Sequence, residues 1–299
     1  MVHGILPLWK PKGMTSHDCV IKLRRLFHTK KVGHTGTLDP EAEGVLPICI
    51  GKATKIASFL TETKKTYITE VKLGSSTETE DKTGAVVESK QVSSPPSQQT
   101  VENVLQLFRG QITQVPPMYS AIKVNGKKLY EYARENETVE RPQRDCFIHQ
   151  LYQLDEKGTR DSFWLKVVCS KGTYIRTLCV DIGHHLGYPA HMSDLYRTAS
   201  GAITKTDTVT FDEIEMAVRH NRQEQLLLPI TSGLTHLDRL YVDESTKKRI
   251  LHGQKLKKDD LVPDTDPFLV MCNKEVLAIY KTHPEHNMMI KPVRVFNDQ

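Results

Sequence analysis

The chain has 299 residues, of which 41 are Lys or Arg and 36 are Asp or Glu, so its formal net charge is +5. This is the composition of an ordinary globular protein, and the modest charge excludes a histone-like polycation. No segment approaches the roughly 18 apolar residues of a membrane helix, and the start of the chain lacks the basic and apolar regions of a secretory signal.

The first elements of the chain alternate between strand, helix and loop. Residues 6–13 indicate a short strand followed by a Pro-Gly turn, and residues 16–27 have the capping residues and apolar spacing of a helix. Glycine and proline are frequent in 31–51, which predicts a loop. A helix is expected over 53–60, and the alternation in 67–73 predicts a half-buried strand.

The later elements continue this mixture, which predicts an α+β fold. Residues 85–87 and 163–169 indicate strands, and 100–108 indicates a helix. A further helix is expected after Gly172, ending at a Gly187 cap. Short strands dominate the end of the chain.

Two domains are predicted from this change of pattern. The first spans residues 1–234 and the second, small and rich in strands, spans residues 235–299.

The excess of positive charge lies in residues 1–65, which hold 11 Lys and Arg against 5 Asp and Glu, a net of +6. The rest of the chain has a net charge of −1. A local basic block is typical of a protein that binds a polyanion with one face. A solvated basic surface without a partner is the alternative.

The cysteines and histidines give no sign of a metal site. Six cysteines are scattered without a CxxC pair, which in a chain of this length is typical of reduced thiols in a cytosolic protein. Histidines occur at 184, 185, 191, 283 and 286, but no spacing matches a known set of metal ligands. We therefore predict no metal.

Asp39 is a candidate catalytic carboxylate. Pro40 favours an extended backbone at Asp39, and Gly33 and Gly36 permit tight turns close to a ligand. An aspartate that only organises its own loop is the alternative. The spacing around Gly44 does not match a phosphate-binding P-loop, and neither an aspartic-protease pair nor a GxSxG elbow is present.

Two further side chains have chemistry suited to a nucleic-acid ligand. Tyr67 lies on the predicted strand 67–73, where an aromatic ring could stack on a nucleobase or simply pack in the core. Arg176 follows a predicted turn from strand to helix, where it could pair with a carboxylate or phosphate, or form a surface ion pair of little energetic consequence.

Six blocks, in order and covering roughly residues 1–230, resemble the bacterial tRNA pseudouridine synthase B family. They are LWKPKGMTSHD (8–18), GHTGTLDPEAEGVLPICIGKATK (33–55), KTYITEVKLGSSTETEDKTG (65–84), VPPMYSAIKVNGKKLYEYAR (115–134), CSKGTYIRTL (169–178) and PAHMSDLYRTASGAI (189–203). The agreement is weaker after residue 230, where ILHGQKL (250–256) is similar to the family's small RNA-binding domain.

The resemblance implies a function for individual residues. Asp39 matches the catalytic aspartate, Tyr67 the tyrosine that stacks on the flipped base and is proposed to take the C5 proton, and Arg176 the arginine paired with the aspartate. The remaining matches, all at substrate-binding positions, are His34, Tyr174, Leu195 and, with a less defined role, Lys55.

The resemblance also implies the fold and the reaction. The expected fold is the α+β pseudouridine-synthase core, a mixed and mostly antiparallel sheet with flanking helices, followed by a small β-rich PUA-like domain. The expected reaction converts uridine to pseudouridine at position 55 in the T-loop of tRNA, after the base is flipped out. It needs no cofactor or metal. Carboxylate addition to C6, attack on C1′ and a glycal route all stay open.

The partner implied is the T stem-loop of tRNA, bound in the cytoplasm by a monomer without an obligatory protein partner. We expect the flanking phosphates to be bound by basic residues of the first 65, namely Lys10, Lys12, Lys30, Lys31, Lys64 and Lys65. The main alternative function is a non-catalytic RNA binder or tRNA-folding chaperone, which would not need Asp39. A carboxylate-dependent hydrolase is disfavoured because no second carboxylate lies at a motif spacing.

Overall fold

The structure, a computed structural model, describes residues 2–259 and 261–297. Its strands, in chain order, are β1 (Gly4–Lys10), β2 (Val32–His34), β3 (Glu43–Ile50), β4 (Lys65–Leu73), β5 (Ser75–Thr77), β6 (Val86–Ser89), β7 (Gly110–Gln114), β8 (Lys123–Val124), β9 (Lys127–Lys128), β10 (Arg144–Thr159), β11 (Ser162–Cys169), β12 (Ala190–Ser200), β13 (Ile203–Thr204), β14 (Arg239–Tyr241), β15 (Leu256–Lys257), β16 (Phe268–Cys272), β17 (Glu275–Thr282) and β18 (Met289–Val295).

The α-helices are α1 (Ser16–Leu26), α2 (Ala57–Thr61), α3 (Gln98–Leu107), α4 (Leu129–Arg134), α5 (Ile175–His185), α6 (Phe211–Arg219) and α7 (Glu244–Leu251). None of the helices in the described part of the chain is long and apolar enough to cross a membrane.

A nine-stranded sheet forms the centre of the molecule. Its main order is β1-β3-β12-β4-β11-β10-β7, with β2 added beside β3 and β13 beside β12. The pairings are antiparallel except that of β12 with β3, which is parallel. The predicted mixed, mostly antiparallel α+β core is thereby confirmed.

Helices α1, α3, α5 and α6 contribute to the large apolar cluster against this sheet. Helix α1 begins at a Thr15 capping box, in which Thr15 accepts from the Asp18 backbone and the Asp18 carboxylate accepts in return from Thr15. Its inward side chains include Cys19 and Leu23, both fully buried. Burial of each large aliphatic side chain stabilises the fold by about 2 kcal/mol.

Helix α5 matches its prediction closely and positions one wall of the site. Leu178 and Ile182 are buried in the cluster that also contains Val71 of β4. Gly183 permits close packing, because a Cβ there would lie 2.2 Å from the Cβ of Ala190. The helix ends before Gly187, whose φ of +82° suits glycine.

The predicted helix over 53–60 takes a different form. Residues Gly51–Ile56 make a 3-10 helix that leads directly into the short α2. The Thr54 hydroxyl donates to the Gly51 carbonyl over 2.7 Å, which favours the tighter first turn.

A second sheet of five strands, ordered β14-β16-β17-β18-β15, contains the predicted C-terminal strands. It is joined to the first sheet by a shared apolar cluster that includes Ile5, Val45, Leu269 and Ile279, all fully buried. Because this core is continuous, the two sheets support each other's packing. A boundary at 234/235 between functional domains stays a prediction.

Candidate active site

A cleft of about 620 Å³ lies on the face of the large sheet that packs against α5. Its walls are the loop 36–40, strands β4 and β12, the turn 170–174 before α5, and residues 115–134, which we call the covering segment. A cleft of this volume is the size of a typical small-molecule or nucleotide site.

Asp39 lies on a loop whose backbone is held by hydrogen bonds to Lys10 and Ser16. Lys10 is fully buried, and its ammonium group donates to the carbonyls of Pro40 at 3.1 Å and Ala42 at 2.6 Å. The Ser16 hydroxyl accepts from the Leu38 amide over 2.8 Å. These bonds fix the backbone on both sides of Asp39, so that its carboxylate faces the cleft from a rigid support.

Arg176 connects three parts of the site. Its Nε lies 3.0 Å from Asp39 Oδ2, and 7% of its side chain is exposed. Its two terminal nitrogens donate over 2.9 Å each to the carbonyls of Thr79 and of Tyr119 in the covering segment. The pairing of Arg176 with Asp39 is thus observed as expected, and the guanidinium is held in place by neutral acceptors on its other edge.

Burial raises the pKa of the Asp39 carboxyl above its ordinary value, and repulsion from Asp81 adds to this effect. Attraction by Arg176 opposes the rise and is the second-largest influence. The net pKa shift is upward, so desolvation outweighs the ion pair. Arg176 thus limits the rise in the carboxyl's pKa without reversing it.

Tyr67 lies in the cleft beside a buried arginine that the sequence analysis missed. Arg197 is directly opposite Tyr67 in the pairing of β12 with β4. Burial raises the pKa of the Tyr67 hydroxyl, and the nearby Arg197 guanidinium opposes that rise without reversing it. The Tyr67 hydroxyl therefore stays neutral in these surroundings.

Arg197 also supports the loop that carries Asp39. It is 1% exposed, and it donates to the carbonyls of Val45 at 2.7 Å and Gly36 at 3.1 Å. Gly44 makes the close approach of β3 possible, since a Cβ there would lie 2.2 Å from the Arg197 carbonyl oxygen. Strand alternation in the sequence could have identified Arg197, because it is two residues from Leu195 and therefore lies on the same face of the strand.

Tyr174 and Leu195 both line the cleft, as expected for substrate-binding residues. Tyr174 is half-buried at the N-cap of α5, and burial raises the pKa of its hydroxyl. Leu195 is buried in β12 and supplies an apolar surface.

His34 lies on β2 and is not among the residues that line the cleft. It is half-buried, and its Nδ1 has no hydrogen-bond partner. Burial lowers the pKa of the His34 ring, and the nearby Arg197 and His17 lower it further. A neutral imidazole beside the Asp39 loop is the state that these surroundings favour.

Lys10 and Lys65, which were expected to bind RNA phosphates, are both buried. Lys10 is committed to the carbonyls beneath the Asp39 loop. Lys65 is 5% exposed and donates to the carbonyls of Thr61 and Thr63, each over 2.6 Å. Burial lowers the pKa of Lys65 to about 8. Each ammonium group satisfies backbone carbonyls inside the protein.

Lys55, which was expected to bind substrate, contacts the second sheet in the structure. Its ammonium group donates to the carbonyl of Val295 in β18 over 2.7 Å, and Lys55 is absent from the cleft lining. This lysine links the first sheet to the second.

The other predicted phosphate contacts are accessible. Lys12 is half-buried and forms an ion pair with Asp194 at 2.7 Å. Lys30, Lys31 and Lys64 are exposed. Their basic surface lies on the segments that precede the Asp39 loop and strand β4.

Potential metal ligands converge outside the cleft. Within residues 2–259 and 261–297, His283, Glu285 and His286 form one group with ligand atoms within 4.8 Å of one another, in the turn before β18. By contrast, His185 and His191 bond backbone carbonyls at 2.9 and 2.8 Å. The cleft lining combines the carboxylate of Asp39 with several tyrosine and basic side chains.

The fold is shared with chains of two solved complexes. A chain of a Cbf5–Nop10–Gar1 complex is 25% identical and matches with a TM-score of 0.75 over 98% of this chain and 85% of that one. A chain of an H/ACA RNP bound to a substrate RNA containing 2′-deoxyuridine matches with a TM-score of 0.74 at 22% identity, over 98% and 85%. These matches show that the whole described fold, including both sheets, is one that solved proteins share.

The family follows from the sequence comparisons. Residues 24–175 match the N-terminal domain of TruB family pseudouridylate synthases, and residues 176–235 match the C-terminal domain of tRNA pseudouridylate synthase B. The tRNA pseudouridine synthase B of Oceanobacillus iheyensis is 62% identical over 99% of this chain and 98% of its own. That of Bacillus licheniformis is 50% identical over 99% and 98%. The chain belongs to the TruB family, and it isomerises uridine to pseudouridine in tRNA.

Proposed function

We propose that this protein modifies the uridine at position 55 in the T-loop of tRNA, with Asp39 as the nucleophile or base. The observation that carries this proposal is the Asp39–Arg176 ion pair, facing Tyr67 inside a cleft large enough for a nucleotide. The reaction breaks the bond from N1 to C1′ and forms one from C5 to C1′. The C5 proton is lost, and N1 gains a proton.

Asp39 supplies the anion that each of the three possible routes needs. Its carboxylate could add to C6, attack C1′ or remove the 2′ proton. In every case Arg176 orients the carboxylate and stabilises its charge after water is excluded. The fixed loop beneath Asp39 supports this role, since a small displacement of a reacting group costs about 100-fold in rate.

Tyr67 stacks on the flipped base, and its hydroxyl accepts the C5 proton in the last step. Burial keeps the Tyr67 phenol neutral, and the nearby guanidinium of Arg197 lessens the cost of its ionisation, which the phenol needs before it can accept a proton. Tyr174 and Leu195 enclose the base on the remaining sides of the cleft. Extrusion of the base costs a few kcal/mol, which stacking and hydrogen bonding in the cleft offset.

The accessible lysines Lys12, Lys30, Lys31 and Lys64 bind phosphates that flank the target uridine. The C-terminal residues 235–299 add a PUA-like RNA contact, and the protein acts as a cytoplasmic monomer without an obligatory protein partner.

A pseudouridine map of tRNA tests the site of modification. The purified protein is incubated alone with an unmodified tRNA transcript, and with a transcript in which U55 is replaced by cytidine. We expect one new pseudouridine, at position 55, in the first transcript and none in the second. Modification elsewhere, or a need for a second protein, would contradict the proposal. Stable binding without any pseudouridine would favour the RNA-chaperone alternative.

A further inference from the structure

Gln114, the last residue of β7, makes a paired contact with the turn that leads into α5. It is 3% exposed. Its Nε2 donates to the Tyr174 carbonyl at 3.1 Å, and its Oε1 accepts from the Tyr174 amide at 3.0 Å. The side-chain amide therefore binds the Tyr174 backbone as a neighbouring peptide group would in a sheet.

This contact holds the first residue of the α5 start by its backbone. Tyr174 is the N-cap residue of α5, with φ −92° and ψ 107°, and its own side chain makes no capping bond. Without Gln114, the Tyr174 amide would lose its acceptor, while the Tyr174 carbonyl would keep the bond from the Leu178 amide at 3.0 Å. An unpaired buried group costs about 1–3 kcal/mol, so the turn would move to find a new acceptor.

The position of Gln114 in the chain couples this turn to the covering segment. The covering segment starts at the next residue and supplies the Tyr119 carbonyl that accepts from Arg176. Arg176 in turn lies two residues after Tyr174. The Gln114 amide thus sets the spacing between the start of the covering segment, the Tyr174 ring and the guanidinium that binds Asp39.

We propose that Gln114 is a positioning residue for the isomerisation, acting through Tyr174 and Arg176. The inference rests on the roles proposed above for those two side chains. Gln114 itself is not among the residues that line the cleft, so it affects the reaction through the alignment of other groups. The Cys146 thiol also donates to Gln114 Oε1, over 3.6 Å.

Replacement of Gln114 by alanine removes both bonds. We expect Gln114→Ala to lower kcat for tritium release from [5-³H]uridine-labelled tRNA by about 10- to 100-fold. The KM for tRNA should change less than about twofold, because the phosphate contacts are untouched. The matched control is Gln111→Ala, on the same strand but exposed and 3.5 Å from Asp145. A kcat within about twofold of this control would overturn the proposal.

Gln114→Glu separates positioning from a general loss of stability. Its carboxyl has the same size, but it can donate to the Tyr174 carbonyl only when protonated. The kcat of Gln114→Glu relative to wild type should therefore fall as the pH rises through the pKa of the new carboxyl, while thermal melting shows a folded protein. A pH-independent ratio would contradict the proposal, even if Gln114→Ala fails to fold.

The two proposals fail in different ways. If the proposed function is wrong, the wild type and Gln111→Ala also leave position 55 unmodified. If only the positioning role is wrong, both proteins are active and Gln114→Ala is as fast as its control.

Discussion

Arg197 lies directly opposite Tyr67 in the pairing of β12 with β4. Its buried guanidinium donates to the carbonyls of Val45 and Gly36, on either side of the loop that carries Asp39. The strand pairing and these two bonds therefore fix the position of the Asp39 loop relative to Tyr67.

Tyr67→Phe tests the proton-transfer role of the hydroxyl. The ring keeps its stacking surface, so tRNA binding should be nearly unchanged, whereas turnover should fall by about 100-fold or more because general base catalysis is lost. Tritium release from C5 under single-turnover conditions measures the step. Release at the wild-type rate would show that another group takes the proton.

The pH dependence of turnover tests the electrostatics of Asp39. The carboxyl must be ionised to react, and burial raises its pKa, so activity should fall with decreasing pH at values above the ordinary 3.8 of an aspartate. Arg176→Gln removes an attraction that lowers this pKa, and the acid limb should move to higher pH. The profile of kcat/KM against pH gives the position of the acid limb in the wild type and in Arg176→Gln. An acid limb that moves to lower pH in the variant would contradict this assignment.

Lys10→Met tests the support beneath the Asp39 loop. The variant keeps a long side chain but removes the donor of the Ala42 carbonyl and one of the two donors of the Pro40 carbonyl. The free energy of unfolding should therefore fall by about 1–3 kcal/mol. Turnover should also fall, because Asp39 loses its rigid support. The salt dependence of tRNA binding should be that of the wild type, as measured by filter binding. A reduced salt slope would restore Lys10 as a phosphate contact.

Replacement of the accessible lysines should weaken tRNA binding and leave stability nearly unchanged, the reverse of what is expected for Lys10→Met. Simultaneous replacement of Lys30, Lys31 and Lys64 by glutamate should weaken tRNA binding and reduce the slope of log K against log salt by about one for each phosphate that is no longer bound. Thermal stability should change little, since all three side chains are exposed. An unchanged slope would place the RNA on another surface.

The regular elements of the fold could be predicted because their signals are local. Alternation defined β4, and helical spacing with Gly187 defined α5. The 3-10 helix that leads into α2 was not predicted, because the apolar spacing in 53–60 does not distinguish a 3-10 helix from an α-helix. Within the candidate site, the motifs that contain Asp39, Tyr67, Tyr174 and Arg176 identified residues that the structure brings to one cleft.

The long basic side chains were the hardest to interpret from the sequence. Lys10 and Lys65 were counted in the net +6 of residues 1–65, yet both are buried. Their acceptors are backbone carbonyls in the Asp39 loop and at the end of α2. The residue composition does not show which backbone carbonyls lack a partner in the secondary structure. Strand alternation places Arg197 on the face of Leu195, but it gives no sign of the acceptor Val45, 152 residues away. The accessible basic surface is therefore smaller than the charge count suggests.

The central claim is that Asp39 performs the chemistry and is not required to hold the RNA. Asp39→Asn keeps the volume of the side chain and removes its charge and nucleophilicity. We expect no pseudouridine and no tritium release from [5-³H]uridine-labelled tRNA with this variant, while its Kd for tRNA stays within a few-fold of the wild-type value. Tritium release by Asp39→Asn at a rate near that of the wild type would contradict the account.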